Sequence, residues 1–237
     1  MSADVEGWLT PAQARALAVA AGRARPGERI VEIGSFRGRS TIALAAAAAP
    51  GVEVVAIDPH LGAWREPHRT TEDADLGQAD VEAFRSNLAR AGVAERVRHV
   101  RRFSGEALGD VEGEVAVLFI DGAHDVRGAS ADVVQWGGRV APGGRMLVHD
   151  AFSSVGVTLA LARLGALGRT WRYVGRTGSL AEYVREDLAG AARLRNAARH
   201  LVELPWFVRN LAVKALIVAR LKPLARLLGH RDGPWPY

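Results

Sequence analysis

A chain of 237 residues with 49% apolar content suits one domain of generous size with a sizeable core. It has no cysteine, which excludes a disulfide scaffold and a thiolate metal site and fits a reducing compartment. The net charge of +5 is unevenly placed: residues 1–184 hold 21 Lys/Arg against 22 Asp/Glu, whereas residues 185–237 hold 10 against 4. The basicity therefore belongs to the tail, and it is poor evidence for a nucleic-acid partner.

Residues 1–7 are acidic and carry no apolar signal segment, and no run approaches the roughly 20 apolar residues that span a bilayer, so a cytoplasmic protein is expected. Thr10-Pro11-Ala12-Gln13 has the form of a helix start, with a capping threonine, proline at the first position and glutamine at the third. The helix is predicted to reach about Gly22. Apolar runs then recur as strands over 28–33, 52–57, 96–100, 115–120 and 145–148. Helical segments over 40–49, 80–91, 104–109 and 127–140 lie between them. Two further strand-like runs, 171–175 and 179–185, flank Arg176-Thr177-Gly178 and read as a hairpin. This alternation predicts an α/β fold with a mostly parallel sheet covered on both faces. Ligands in such sheets sit outside the C-terminal strand ends, near the topological switch point. The segment 61–78 is long, polar and Gly/Pro-containing, a candidate substrate lid accompanied by His60 and His68.

The most informative stretch is Val31-Glu32-Ile33-Gly34-Ser35-Phe36-Arg37-Gly38-Arg39-Ser40-Thr41. A buried strand, a tight glycine turn and a helix start follow one another. The glycines let backbone approach a ligand, and the helix N-terminus offers unpaired N–H groups to a carboxylate. The spacing is E-x-G-x-x-x-G-x-S, not the G-x-G-x-x-G of a dinucleotide-binding turn. An acidic residue, Asp58, ends the second strand. There it can accept both ribose hydroxyls of a nucleoside, or simply terminate the strand in a turn before Pro59. The fourth strand ends in Asp121-Gly122-Ala123-His124 and the fifth in His149-Asp150-Ala151. Two carboxylates at adjacent strand ends can share a hard divalent cation such as magnesium. An imidazole near neutral pKa can take a proton from a hydroxyl. His149, inside an apolar strand, reads as a core or supporting residue.

Taken together, these segments over roughly residues 28–185 resemble class I S-adenosylmethionine-dependent methyltransferases, in particular the cation-dependent catechol-type and macrocin-type sugar O-methyltransferases. The resemblance implies a Rossmann-like, doubly wound, seven-stranded sheet with a C-terminal antiparallel hairpin over 1–185. It assigns cofactor contacts to Glu32, Gly34, Ser35, Phe36, Gly38, Ser40, Asp58, Ser104 and Asp121. It assigns a divalent cation, magnesium first, to Asp121 and Asp150; Ala151 departs from the Asn or Asp often found there. His124, three residues after Asp121, falls where catechol-type enzymes carry a lysine base and macrocin-type enzymes a histidine. A saccharide or glycoside hydroxyl is the expected acceptor, and a phenol the alternative. A partner-binding protein that merely retains the fold is the reading from another class.

The basic extension, 186–237, reads as two helices over 186–204 and 206–228, with Pro223 interrupting the second. Its mixture of aliphatic and basic residues suits peripheral contact with a membrane, a layer packed on the core, or a homodimer.

Overall fold

The computed structural model describes residues 4–62, 72–166 and 168–230. Its seven strands are β1 (Arg29–Ile33), β2 (Glu53–Ile57), β3 (Val97–Val100), β4 (Val115–Ile120), β5 (Val140–Val148), β6 (Trp171–Thr177) and β7 (Leu180–Arg185). They form one sheet in the order β3-β2-β1-β4-β5-β7-β6. The first five are mutually parallel, and β7 runs antiparallel to both β5 and β6. This is the expected Rossmann-like class, hairpin included, and its switch point lies between β1 and β4.

The central strands are apolar throughout, yet they sort their side chains by parity. Val31 and Ile33 of β1, Val55 and Ile57 of β2, and Leu118 and Ile120 of β4 join one core. Ile30, Val54, Ala56, Val117 and Phe119 join the other. Helices α1 (Pro11–Ala21), α2 (Arg39–Ala47) and α3 (Ala74–Arg90) cover the second face with Leu17, Leu44, Phe84 and Leu88. Helices α4 (Val126–Gln135) and α5 (Val155–Ala166) cover the first with Val133 and Leu161, and Trp136 at the end of α4 is fully buried. Each such side chain contributes about 1.5–3 kcal/mol of burial.

Several local expectations change. The capping box at Thr10 and Gln13 is present. Helix α3, however, starts at Ala74, capped by Asp73 on the Leu76 N–H, so the last five residues of the presumed lid, 74–78, are helix, and residues 63–71 of it lie outside the described residues. His68 lies outside the described residues. Residues 104–109 form a turn and a short 3-10 helix, Ala107–Asp110, rather than an α-helix. Strand β5 begins at Val140, and its register against β4 shifts between Val115 and Val117. Helix α5 was not foreseen. Its run of small and aliphatic residues carries no polar stripe to betray a 3.6-residue period.

The tail contains α6 (Gly190–Leu201), α7 (Leu204–Val218) and α8 (Lys222–Leu227). Pro205 and Pro223 begin helices, because a missing N–H costs nothing in the first turn. Helix α6 is tied to β6: Asn196 accepts from the Tyr173 N–H at 2.7 Å and donates to the Trp171 carbonyl at 3.0 Å. The Tyr173 hydroxyl donates to Glu203 at 2.8 Å. Among the described residues no helix is long and apolar enough to cross a membrane.

One ionisable group sits inside this frame. Glu32 is fully buried, and the hydroxyls of Ser40 and Thr41 both donate to its carboxylate, tying β1 to the first turn of α2. Burial pushes its pKa from 4.5 up to about 8, against the pull of those hydroxyls. The unfolded chain then binds fewer protons than the folded one between those two values, so this residue costs stability as pH rises through that window, by about 1.4 kcal/mol per unit. Glu32→Gln should therefore gain stability relative to the parent from pH 5 to pH 8. Denaturant unfolding of both proteins across that range checks it; a constant difference would contradict the assignment.

Candidate active site

The turn after β1 is shaped by what it touches. Gly34 has φ +85°, and a Cβ there would lie 2.3 Å from the Asp121 carbonyl oxygen and 2.9 Å from the Gly122 nitrogen. The Gly34 N–H donates to the Ile57 carbonyl at 2.9 Å, and the Asp121 N–H donates to the Ile33 carbonyl at 2.8 Å. The ends of β1, β2 and β4 thus meet at one peptide. Gly38, φ +87°, opens α2, where a Cβ would press on the Phe84 ring at 3.1 Å. Glycine is needed at Gly34 for the strand junction itself, rather than only for space beside a ligand.

Asp58 turns back onto this loop. Its Oδ2 accepts from the N–H groups of Ser35 at 2.9 Å and Phe36 at 2.8 Å, and its Oδ1 accepts from His60 N–H at 2.8 Å. A carboxylate offers about four lone-pair sites, so one remains on Oδ1. The two-hydroxyl clamp expected from sequence is reduced to a single open position in this arrangement. Glu32 and Ser40 bond to each other beneath the turn and support it from below. Ser35 is buried, and its hydroxyl has no hydrogen-bond partner. Phe36, φ +43°, lies against Trp8 with ring centroids 5.4 Å apart. Ser104 donates its hydroxyl to Asp132 of α4 at 2.5 Å, and its carbonyl accepts from the Trp136 indole at 3.1 Å. Burial raises the pKa of Asp132. His60 is buried against Phe84 and His99; burial lowers its pKa.

On the other side of Gly34, β4 and β5 deliver Asp121, His124 and Asp150 together, with one ligand atom from each inside a 4.8 Å span. His124 Nε2 lies 2.8 Å from Asp150 Oδ2, and that bond raises the imidazole pKa. His149 is buried with Nδ1 3.1 Å from Asp121 Oδ1. Burial opposes its charge, but Asp121 and Asp150 outweigh burial and carry its pKa up to about 9. His149 therefore acts as a buried cation beside the carboxylates. Asp125 caps α4 through the N–H groups of Arg127 and Gly128, fixing the segment that carries His124.

A family model described as Methyltransferase domain matches residues 31–151, more than half of the chain. The chain belongs to this family. Among solved structures, the methyltransferase is similar to cofactor-bound Rv0187 from MTB, with 21% identity, TM-score 0.59 and coverage of 78% of this chain and 85% of that one. It is also similar to the O-methyltransferase TomG from Streptomyces achromogenes in complex with SAM, with 22% identity, TM-score 0.53, and 77% and 82% coverage. The O-methyltransferase from Bacillus cereus in complex with SAH gives 20% identity, TM-score 0.53, and 78% and 86% coverage. At these identities the likeness establishes the shared fold.

Of the methyltransferase's three clustered groups, the Asp121 and Asp150 carboxylates are the oxygen donors that suit a hard divalent cation, and the His124 imidazole lies beside them. Ala151 is wholly buried and adds no ligand; its N–H donates to the Ser179 carbonyl at 2.9 Å. The loop after β5 is instead held by the tail. Asp150 and Phe152 take left-handed backbone, φ +55° and +57°. The buried Asn210 side chain of α7 donates to the Phe152 carbonyl at 2.9 Å, and Lys214 Nζ donates to the Ser153 carbonyl at 2.7 Å. Sequence reasoning missed both residues. Their signal was faint: polar groups spaced i, i+4 on an otherwise apolar helix.

Two outcomes follow for this site. Gly34→Ala should lower unfolding free energy by at least about 1–3 kcal/mol, through left-handed strain and the clash with Asp121; an unchanged denaturant midpoint would sink that reading. Asn210→Leu should cost about 1–3 kcal/mol by orphaning a buried carbonyl, seen as a lower melting temperature than that of an exposed control such as Arg195→Leu.

Proposed function

We propose that this methyltransferase moves the methyl group of S-adenosylmethionine onto a hydroxyl of a saccharide or glycoside, assisted by a divalent cation. The observation that carries the reading is the joining, at one strand junction, of the Gly34 turn with Asp58 on one side and Asp121, His124 and Asp150 on the other. S-adenosylmethionine brings an already activated methyl group, and a cation held by Asp121 and Asp150 would make the acceptor hydroxyl more acidic.

The chain's own residues supply position and a proton acceptor. The N–H groups of Gly34, Ser35, Phe36 and Gly38 are already bonded within the junction and the turn, so it is the first turn of α2 beyond them, with its N–H groups and the helix dipole, that suits a carboxylate. Asp58 keeps one oxygen position for a ribose hydroxyl while its other bonds hold the turn. His124 is oriented by Asp150 through Nε2, which leaves Nδ1 to take the hydroxyl proton as the methyl moves. The D-x-x-H spacing favours a saccharide over a phenol. A phenol acceptor, or no turnover with any hydroxyl, would each replace the saccharide reading.

Calorimetric titration with S-adenosylhomocysteine comes first: no binding would leave only a fold without the activity. With binding established, His124→Ala should keep cofactor affinity and lower kcat by about 10²–10⁴-fold. Chelation should remove most turnover, and magnesium should restore it. If His124→Ala instead abolishes cation affinity, the imidazole is a ligand and not the base. Full activity in excess chelator, shared by Asp150→Ala, would remove the cation altogether.

A further inference from the structure

The outward side of the tail is apolar where a solvated helix should be polar. Along α7, Leu204, Val208, Leu211, Ala215 and Val218 recur at four- and three-residue steps and so fall on one face. That face points outward: Val208 is 62% and Val218 81% exposed, while Asn210 and Val213 on the opposite side are fully buried. The surface continues along the chain in both directions. Leu194 and Val202 are 74% and 75% exposed at and just after α6, and Leu221, Leu224 and Leu227 are exposed around α8. A surface of this kind marks something that covers it.

Charge decides what. Between residues 188 and 231 there are nine Lys/Arg, of which Arg199, Arg209 and Lys214 are bonded to backbone carbonyls, and a single acidic residue, Glu203. Glu203 is turned inward, accepting from the Tyr173 hydroxyl and bridging to Arg176 at 2.6 Å. Arg195 and Arg220 are exposed beside the aliphatic residues. A second copy of the chain would set basic tail against basic tail. A helix of 15 residues spans only about 22 Å, short of the roughly 30 Å hydrocarbon layer, so α7 can lie on a bilayer but not cross it. We propose that the α6–α8 face docks on an anionic lipid surface, with the aliphatic stripe entering the headgroup boundary and Arg195 and Arg220 meeting lipid phosphates.

The test uses the full chain and vesicles of phosphatidylglycerol with phosphatidylcholine, against vesicles of phosphatidylcholine alone, read by sedimentation. Binding to the anionic vesicles should be at least about tenfold tighter and should weaken as salt rises. The pair Val208→Glu and Val218→Glu should abolish it while leaving the melting temperature unchanged, since both side chains project into solvent. Arg195→Glu with Arg220→Glu should weaken it at least about tenfold. Equal binding to both vesicle types, no binding to either, or undiminished binding by the Val208→Glu, Val218→Glu protein would overturn the proposal. A dimer in light scattering that those same two substitutions dissolve would assign the stripe to a second copy, and would overturn it as well.

Discussion

The structure depends on a contact with no side chain in it. At Gly34 the backbone of β1 runs so close to the end of β4 that a single methyl group would overlap the Asp121 carbonyl. Ladder-type hydrogen bonds from Gly34 to Ile57 and from Asp121 to Ile33 lock the three strand ends into one unit. The separation between the Gly34–Asp58 side and the Asp121–Asp150 side of the candidate site is therefore set by peptide geometry. Side chains can be exchanged around this junction, but the spacing across it is as rigid as the central sheet.

Around that junction the protein balances charge with its own side chains. Two carboxylates brought within metal-ligating reach repel each other, and the chain answers with cations of its own. His149 is buried and held protonated by Asp121 and Asp150. Lys214 stands near enough for Asp150 to act on its charge. The two carboxylates are thus partly neutralised by the chain itself.

The sheet was legible because its signals are local. Apolar runs, glycine turns and capping residues each report on a few neighbours, and the handedness of parallel connections orders the strands. The same logic found Asp121, His124 and Asp150, since all three lie at strand ends and the sheet brings those ends together. Other features rested on pairings that no local pattern reveals. Ser104 meets Asp132 across 28 residues, and Asn210 meets Phe152 across 58. Glu32 and Ser40 are close in sequence but face each other beneath the turn, because the helix start rotates Ser40 under the strand. Helix α5 shows no visible period because Thr158 and Arg163 are too few among its small and aliphatic residues to mark a polar face, and the prolines of the tail read as breaks when they are starts.

The grip of α7 on the loop after β5 also bears on how the molecule is made. Strands β1 to β5 and both halves of the site leave the ribosome well before Asn210 and Lys214 do. A nascent chain can lay down the central sheet, yet it exposes the left-handed turn at Asp150 and Phe152 with its carbonyls unpaired until the tail arrives. Because α7 supplies those partners, the loop after β5 is completed only once α7 has been made. A partly made chain therefore holds the Gly34 turn before it holds a finished loop after β5.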